Sequence, residues 1–162
     1  MTDVKELIKR FSQLKSQRGT WDSHWQEIAD YVLPRRADVT VKRARGDKRT
    51  EKIFDSTAIN AAELLASSLH GMLTNAASPW FSMSYKDRAL NLDDASMEWL
   101  EECTNQMYIV LNRSNFQQEI HELYQDLITF GTAGMIIEKD ETSGLRFSTR
   151  HISEIYLSLI HI

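Results

Sequence analysis

The stretch from Ala58 to Leu73 constrains this chain more than any other. Ala58, Ile59, Ala61, Ala62, Leu64, Leu65, Ala66, Leu69, Met72 and Leu73 make a helix that is apolar nearly all round. Such a helix is expected to be buried, with its alanines letting neighbours approach closely. The spacing therefore predicts a central packing helix that Asp55 or Ser56 opens and Ser78-Pro79 closes. Asp at Leu65 or Leu69 would then place an unpaired charge in the core.

The flanking segments read mostly as further helix. Val4, Leu7, Ile8, Phe11 and Leu14 recur at helical spacing between charged residues. Arg18-Gly19 is expected to break that helix, and Thr20 to cap a second one carrying Trp21, Trp25, Ile28, Ala29 and Val32 on one stripe until Leu33-Pro34 stops it. Two helices joined at a glycine predict a hairpin. Beyond the apolar helix, Phe81, Met83 and Tyr85 alternate with serines, the period of a half-buried strand. Leu92 before Asp93, with Met97 in the following turn, has the form of a hydrophobic staple across an Asp cap, and the helix it opens runs to about Asn112. Ser114 and Gln117 have capping-box spacing ahead of another helix, with Phe116, Ile120, Leu123, Tyr124, Leu127 and Ile128 on one face. Gly131 and Gly134 then mark a switch to a β hairpin, Met135–Glu138 pairing with Leu145–Ser148 across a turn containing Gly144. The fold class is α+β, dominated by helix, with a strand after the third helix and a β hairpin near the C-terminus.

Composition narrows the function classes. Hydrophobic residues at 42% and charged residues at 26% suit a folded domain. No apolar run approaches the roughly 18 residues of a membrane span, and the first residues lack a signal-peptide core. A net charge of -4 argues against a protein that wraps nucleic acid. Chemistry-bearing motifs are scarce. Gly131-Thr132-Ala133-Gly134 is too short for a phosphate loop and reads as a helix stop needing positive φ. His24, His70, His121 and His151 are dispersed, with no metal-ligand spacing, and Cys103 has no partner and reads as a small buried residue. Asp93-Asp94 caps a helix and Glu101-Glu102 lies on its polar side, so neither pair reads as catalytic. No nucleophile elbow is present. These residues point to no enzyme, no cofactor and no metal.

Two features remain as candidate contact sites. Between residues 35 and 52 the apolar period vanishes and Arg35, Arg36, Lys42, Arg43, Arg45, Lys48, Arg49 and Lys52 crowd together against Asp38, Asp47 and Glu51. This is expected to be a flexible loop, either solvated or in contact with phosphates or with an acidic face of a neighbouring subunit. Trp21, Trp25 and Trp99 read as core or interhelical anchors, whereas Trp80, beside Pro79 and a strand, could be an interface anchor.

Three blocks of sequence carry a resemblance. Arg18-Gly19-Thr20-Trp21 with His24-Trp25-Gln26-Glu27-Ile28-Ala29-Asp30-Tyr31-Val32-Leu33-Pro34 resembles the opening of the head-to-tail connecting, or portal, proteins of short-tailed phages. Phe54-Asp55-Ser56-Thr57-Ala58, Leu64 to Asn75 and Ser78-Pro79-Trp80-Phe81 resemble that family's buried helix and following strand. Phe116, Tyr124-Gln125-Asp126-Leu127 and Phe130-Gly131-Thr132-Ala133-Gly134 resemble its entry into the β core. The resemblance implies the N-terminal part of a virion subunit that forms a ring, typically of twelve copies, at one capsid vertex. Its implied partners are other copies of itself, the capsid protein, the separate terminase packaging motor, tail adaptor proteins and the double-stranded DNA passing through its channel. It implies assembly in the host cytoplasm and no membrane partner. Two alternatives stay open, a head-completion adaptor complete at this length and a small DNA-binding module using the basic loop.

The last residues read differently. Leu157-Ser158-Leu159-Ile160-His161-Ile162 is the translation of a transposase adapter used in preparing sequencing libraries. The expectation is that 1–156 belongs to the connector domain, that 157–162 is not native, and that the chain is a fragment that would not form a ring alone.

Overall fold

The computed structural model describes residues 4–86 and 93–157. The first helix, α1 (Val4–Val32), is unbroken over 29 residues. The expected break at Gly19 and the hairpin built on it do not form. Glycine in a helix interior costs about 1 kcal/mol but removes no hydrogen bond, unlike proline. Here Arg18, just before Gly19, is held on both sides, by Asp22 one turn on and by carbonyls distant in sequence. Leu33-Pro34 does end α1, and Pro34–Arg36 forms a single 3-10 turn.

The second helix, α2 (Thr57–Leu73), starts where expected: Asp55 Oδ1 accepts from the amide and the hydroxyl of Thr57 at 2.8 and 2.7 Å. It ends before Ser78-Pro79, where Asn75 Oδ1 takes the amide of Ala77 and turns the chain. Its burial is the largest departure from expectation. Only Ala66 is buried on it, while Leu64 is 70% and Met72 81% exposed, and Phe54 just before it is 95% exposed. Leu65 is also exposed. An apolar helix needs cover on every side, and the described residues cover essentially one.

Residues 80–85 form no strand. Their backbone groups bond to side chains of α3 (Asp94–Arg113): the amides of Trp80 and Phe81 donate to Tyr108 Oη at 2.7 Å, and that of Met83 to Thr104 Oγ1 at 3.2 Å. The alternation was real, but no second strand lies alongside among the described residues. Asp93 caps α3 as expected, accepting from Ser96 N at 2.9 Å. The staple partner Leu92 lies outside the described residues, as do Ser158 to Ile162. Helix α4 (Phe116–Phe130) follows at once. The Ser114/Gln117 capping box does not form: Ser114 Oγ takes the amide of Phe116 at 3.2 Å, and Gln117 turns instead to His70, 2.6 Å away. Gly131, at φ +71°, closes α4 with its amide on Leu127 O.

Strands β1 (Gly134–Asp140) and β2 (Gly144–Arg150) pair as the expected hairpin. Gly144 adopts φ +85° at the turn, and Asp140 Oδ2 accepts the Ser143 amide there at 2.7 Å. The outer edge of β2 is occupied by α4 and the residue before it. Asn115 bonds both the amide and the carbonyl of Phe147, at 2.9 and 2.8 Å, and Glu119 O accepts from Thr149 Oγ1 at 2.7 Å.

The chain divides into two units, residues 1–65 with 125–134 and 150–162, and residues 66–124 with 135–149. The first has its core at Ala29, Ala37, Phe130 and Ile152, with Trp25, Leu33 and Val39 packed on it. There Trp25 Nε1 donates to Phe130 O at 3.1 Å, and a Cβ on Gly134 would fall 2.7 Å from Ile155 Cδ1. In the second, Phe116, Tyr124, Phe147 and Leu100 are buried. Phe116 meets the Phe147 ring edge-on at 5.1 Å. Trp21 and Trp99, expected as core or interhelical anchors, are 56% and 57% exposed.

Candidate functional site

The basic segment is irregular in backbone, yet side chains from α1 tie it down. Gln26 is the template. Its buried amide oxygen accepts from the backbone N–H groups of Val39, Thr40 and Val41 at 2.9 to 3.2 Å, and its nitrogen donates to Asp30 Oδ1 at 2.9 Å and to Ala37 O. Asp30, 4% exposed, collects two cations from the loop: Arg43 Nη2 at 2.8 Å and Lys52 Nζ at 2.7 Å. Arg49 grips Asp38 with both guanidinium nitrogens, at 3.0 and 2.7 Å. Arg36 approaches the fully buried Asp126 of α4 at 3.2 Å. Side chains of α1 and α4 thus tie the segment down, and removing Arg36, or Arg43 and Lys52 together, would strand a buried carboxylate.

The electrostatics match the geometry. Burial works to raise the Asp30 carboxyl, and hydrogen bonds from Lys52, Arg43 and Gln26 overcome it, leaving the group below its ordinary value. The Arg49 hydrogen bonds hold Asp38 low in the same way. The eight basic residues therefore divide evenly. Arg36, Arg43, Arg49 and Lys52 pair within the chain. Arg35, Lys42, Arg45 and Lys48 are exposed and have no carboxylate partner among the described residues.

The other sequence candidates fall elsewhere. Trp80 is 39% exposed and stacks on Phe116 at 5.9 Å with an 8° tilt, so one indole face is committed to its own unit. His70 faces Gln117 and His121, and His151 receives the Ser153 amide on Nδ1 while Nε2 lies 2.8 Å from Arg36 O. No cluster of three or more His, Cys, Asp or Glu among the described residues could hold a metal. Cys103 is half-buried, less enclosed than expected. Glu101 and Glu102 lie on the exposed side of α3, and no helix among the described residues is long and apolar enough to cross a membrane.

The family model for the bacteriophage head to tail connecting protein matches residues 4–159. The chain belongs to that family. It is similar to the probable portal protein of Bordetella phage BPP-1, 37% identical over 140 residues, and to the portal protein of Salmonella phage epsilon15, 32% identical over 158 residues. These alignments take in 86% and 97% of this chain but 25% and 28% of the relatives, so the chain spans about a quarter of their length.

Sequence reading missed the residues that organise this chain. Gln26 and Asp30 share the helical face of Ala29, a polar pair one turn apart beside an apolar stripe, which was the available signal. Arg18 is the other omission. Its guanidinium donates to Ile155 O at 2.7 Å and Ile152 O at 3.0 Å and lies 3.9 Å from the centre of the Tyr156 ring. It marks the point where α1 receives the chain leaving β2.

Proposed function

We propose that this chain is part of the structural subunit of a phage portal, a ring of about twelve copies in the family's usual form, at one capsid vertex. DNA is packaged and ejected through its channel, and the tail attaches to it. The observation that carries the reading is the family match from residue 4 to residue 159. The subunit acts by assembly and performs no catalysis. Its partners are copies of itself, capsid protein, the terminase motor, tail adaptor proteins and the double-stranded DNA in transit. It assembles in the host cytoplasm and remains in the virion. The apolar surface left open on α2, and on α1 at Val4, Leu7 and Ile8, supports an assembling role, because patches of that kind mark association sites.

Electron microscopy of the purified full-length protein tests this. The expected result is a closed ring with a central channel, and particles assembled without the protein should lack DNA. A full-length protein that stays monomeric at every concentration, or particles that fill with DNA in its absence, would overturn the reading.

A further inference from the structure

We propose that the outward basic residues of the 35–52 loop dock on the acidic face of α3 in a second copy of this chain, joining copies head to tail. The proposal rests on reading the chain as a ring subunit and names the surfaces that meet.

The acidic surface is an unpartnered helix face. Asp94, Glu98, Glu101 and Glu102 are spaced by four, three and one, which places them along one side of α3. All four are exposed, and none has a cation partner among the described residues; Glu102 receives only the Gln106 amide, at 2.8 Å. Like charges four apart disfavour an isolated helix, so a positively charged occupant relieves this one. Trp99 lies beside them, largely exposed, lining a shallow groove with Glu98 and Glu102. An exposed indole within a charged rim is the usual anchor of a protein interface.

The loop has the complementary form. Arg35, Lys42, Arg45 and Lys48 match the carboxylates in number and lack partners. They project from a segment that Gln26, Asp30 and Asp38 already hold in place, so little ordering is lost on docking. Duplex DNA is the competing occupant of the loop. It would leave the α3 face unused. Because the two surfaces differ, the contact is heterologous and closes into a ring when its rotation closes.

The test is a charge exchange in the full-length protein, read by sedimentation velocity at about 50 mM salt. One variant carries Lys42→Glu, Arg45→Glu and Lys48→Glu, and the other Glu98→Lys, Glu101→Lys and Glu102→Lys. Each alone is expected to weaken self-association about a hundredfold, in a manner that salt reduces. An equal mixture should recover assembly, because alternating copies then meet through one reversed and one wild-type contact, both complementary. If a reversed set fails to give the wild-type circular dichroism, the corresponding Gln substitutions replace it, with a smaller loss expected. Normal assembly by either variant, or a mixture that stays dissociated, overturns the contact while leaving the ring reading intact. A loop variant that assembles normally but loses affinity for a short DNA duplex overturns it in favour of phosphate contact. Absence of rings from the wild-type protein removes the ring reading and this contact together.

Discussion

Replacing Arg18 with Met keeps most of the stem's volume and removes the guanidinium that fastens α1 to the 3-10 turn Ile152–Glu154. The bonds to Ile155 O and Ile152 O, at 2.7 and 3.0 Å, are charge-assisted and part-buried. Together they contribute about 3 kcal/mol, at the low end of about 1.5–3 for each. The ring of Tyr156 adds about 0.5 kcal/mol. Arg18 Nε also lies 2.8 Å from Asp22 Oδ1, a helical i,i+4 ion pair that adds about 0.5 kcal/mol. Apolar contacts regained by Met offset part of this, for a net loss of about 3 kcal/mol. At a urea slope of about 2 kcal/mol/M the midpoint should fall by about 1.5 M. The Ile155 amide, bonded to Ile152 O at 3.3 Å, should exchange about a hundredfold faster. Arg18→Lys should recover no more than about half, because an ammonium cannot serve both carbonyls in a fixed fork. A midpoint within about 0.25 M of wild type, or full rescue by Lys, would refute this account.

Acid titration of stability should show two steps. Burial and the nearby Arg36 guanidinium keep folded His151 neutral below its ordinary range, so the unfolded chain binds the proton first and stability falls as pH drops below about 6.5; His151→Asn should remove that step. Asp30 and Asp38 are held low when folded, so their contribution is present above about 3.8 and is lost as pH falls through their folded values, which Asp30→Asn should blunt. On α2, Leu64→Ser should change the unfolding midpoint of this chain by under about 0.5 kcal/mol, whereas Ala66→Leu, at a fully buried position, should cost about 1–3 kcal/mol in the same urea titration.

What was legible in the sequence was what is settled locally. The Asp93 cap, the positive φ at Gly131, the turn at Gly144 and the stop at Leu33-Pro34 each depend on a few adjacent atoms, and all were readable. Gly19 misled because a weak helix former was weighed as a breaker, while the long-range hold on Arg18 has no local signature. Hydropathy identified α2 as a helix but says only that its surface avoids water, not that this segment supplies the cover. The loop's own acids Asp38, Asp47 and Glu51 were the only partners weighed for its cations. Half of them neutralise carboxylates at Asp30, Asp38 and Asp126, and Asp30 and Asp126 lie in helices whose polar residues pass for a solvated face.

The side chains along β2 also give the hairpin a direction of growth. With the Phe147 backbone answered by Asn115 and Thr149 held by Glu119, a newcomer strand would have to displace α4 to join there. Among the described residues the free border is β1, where Ile136 and Ile137 stand exposed. Any further strand, whether from more chain or from a stray molecule in a concentrated preparation, is therefore admitted from one side only.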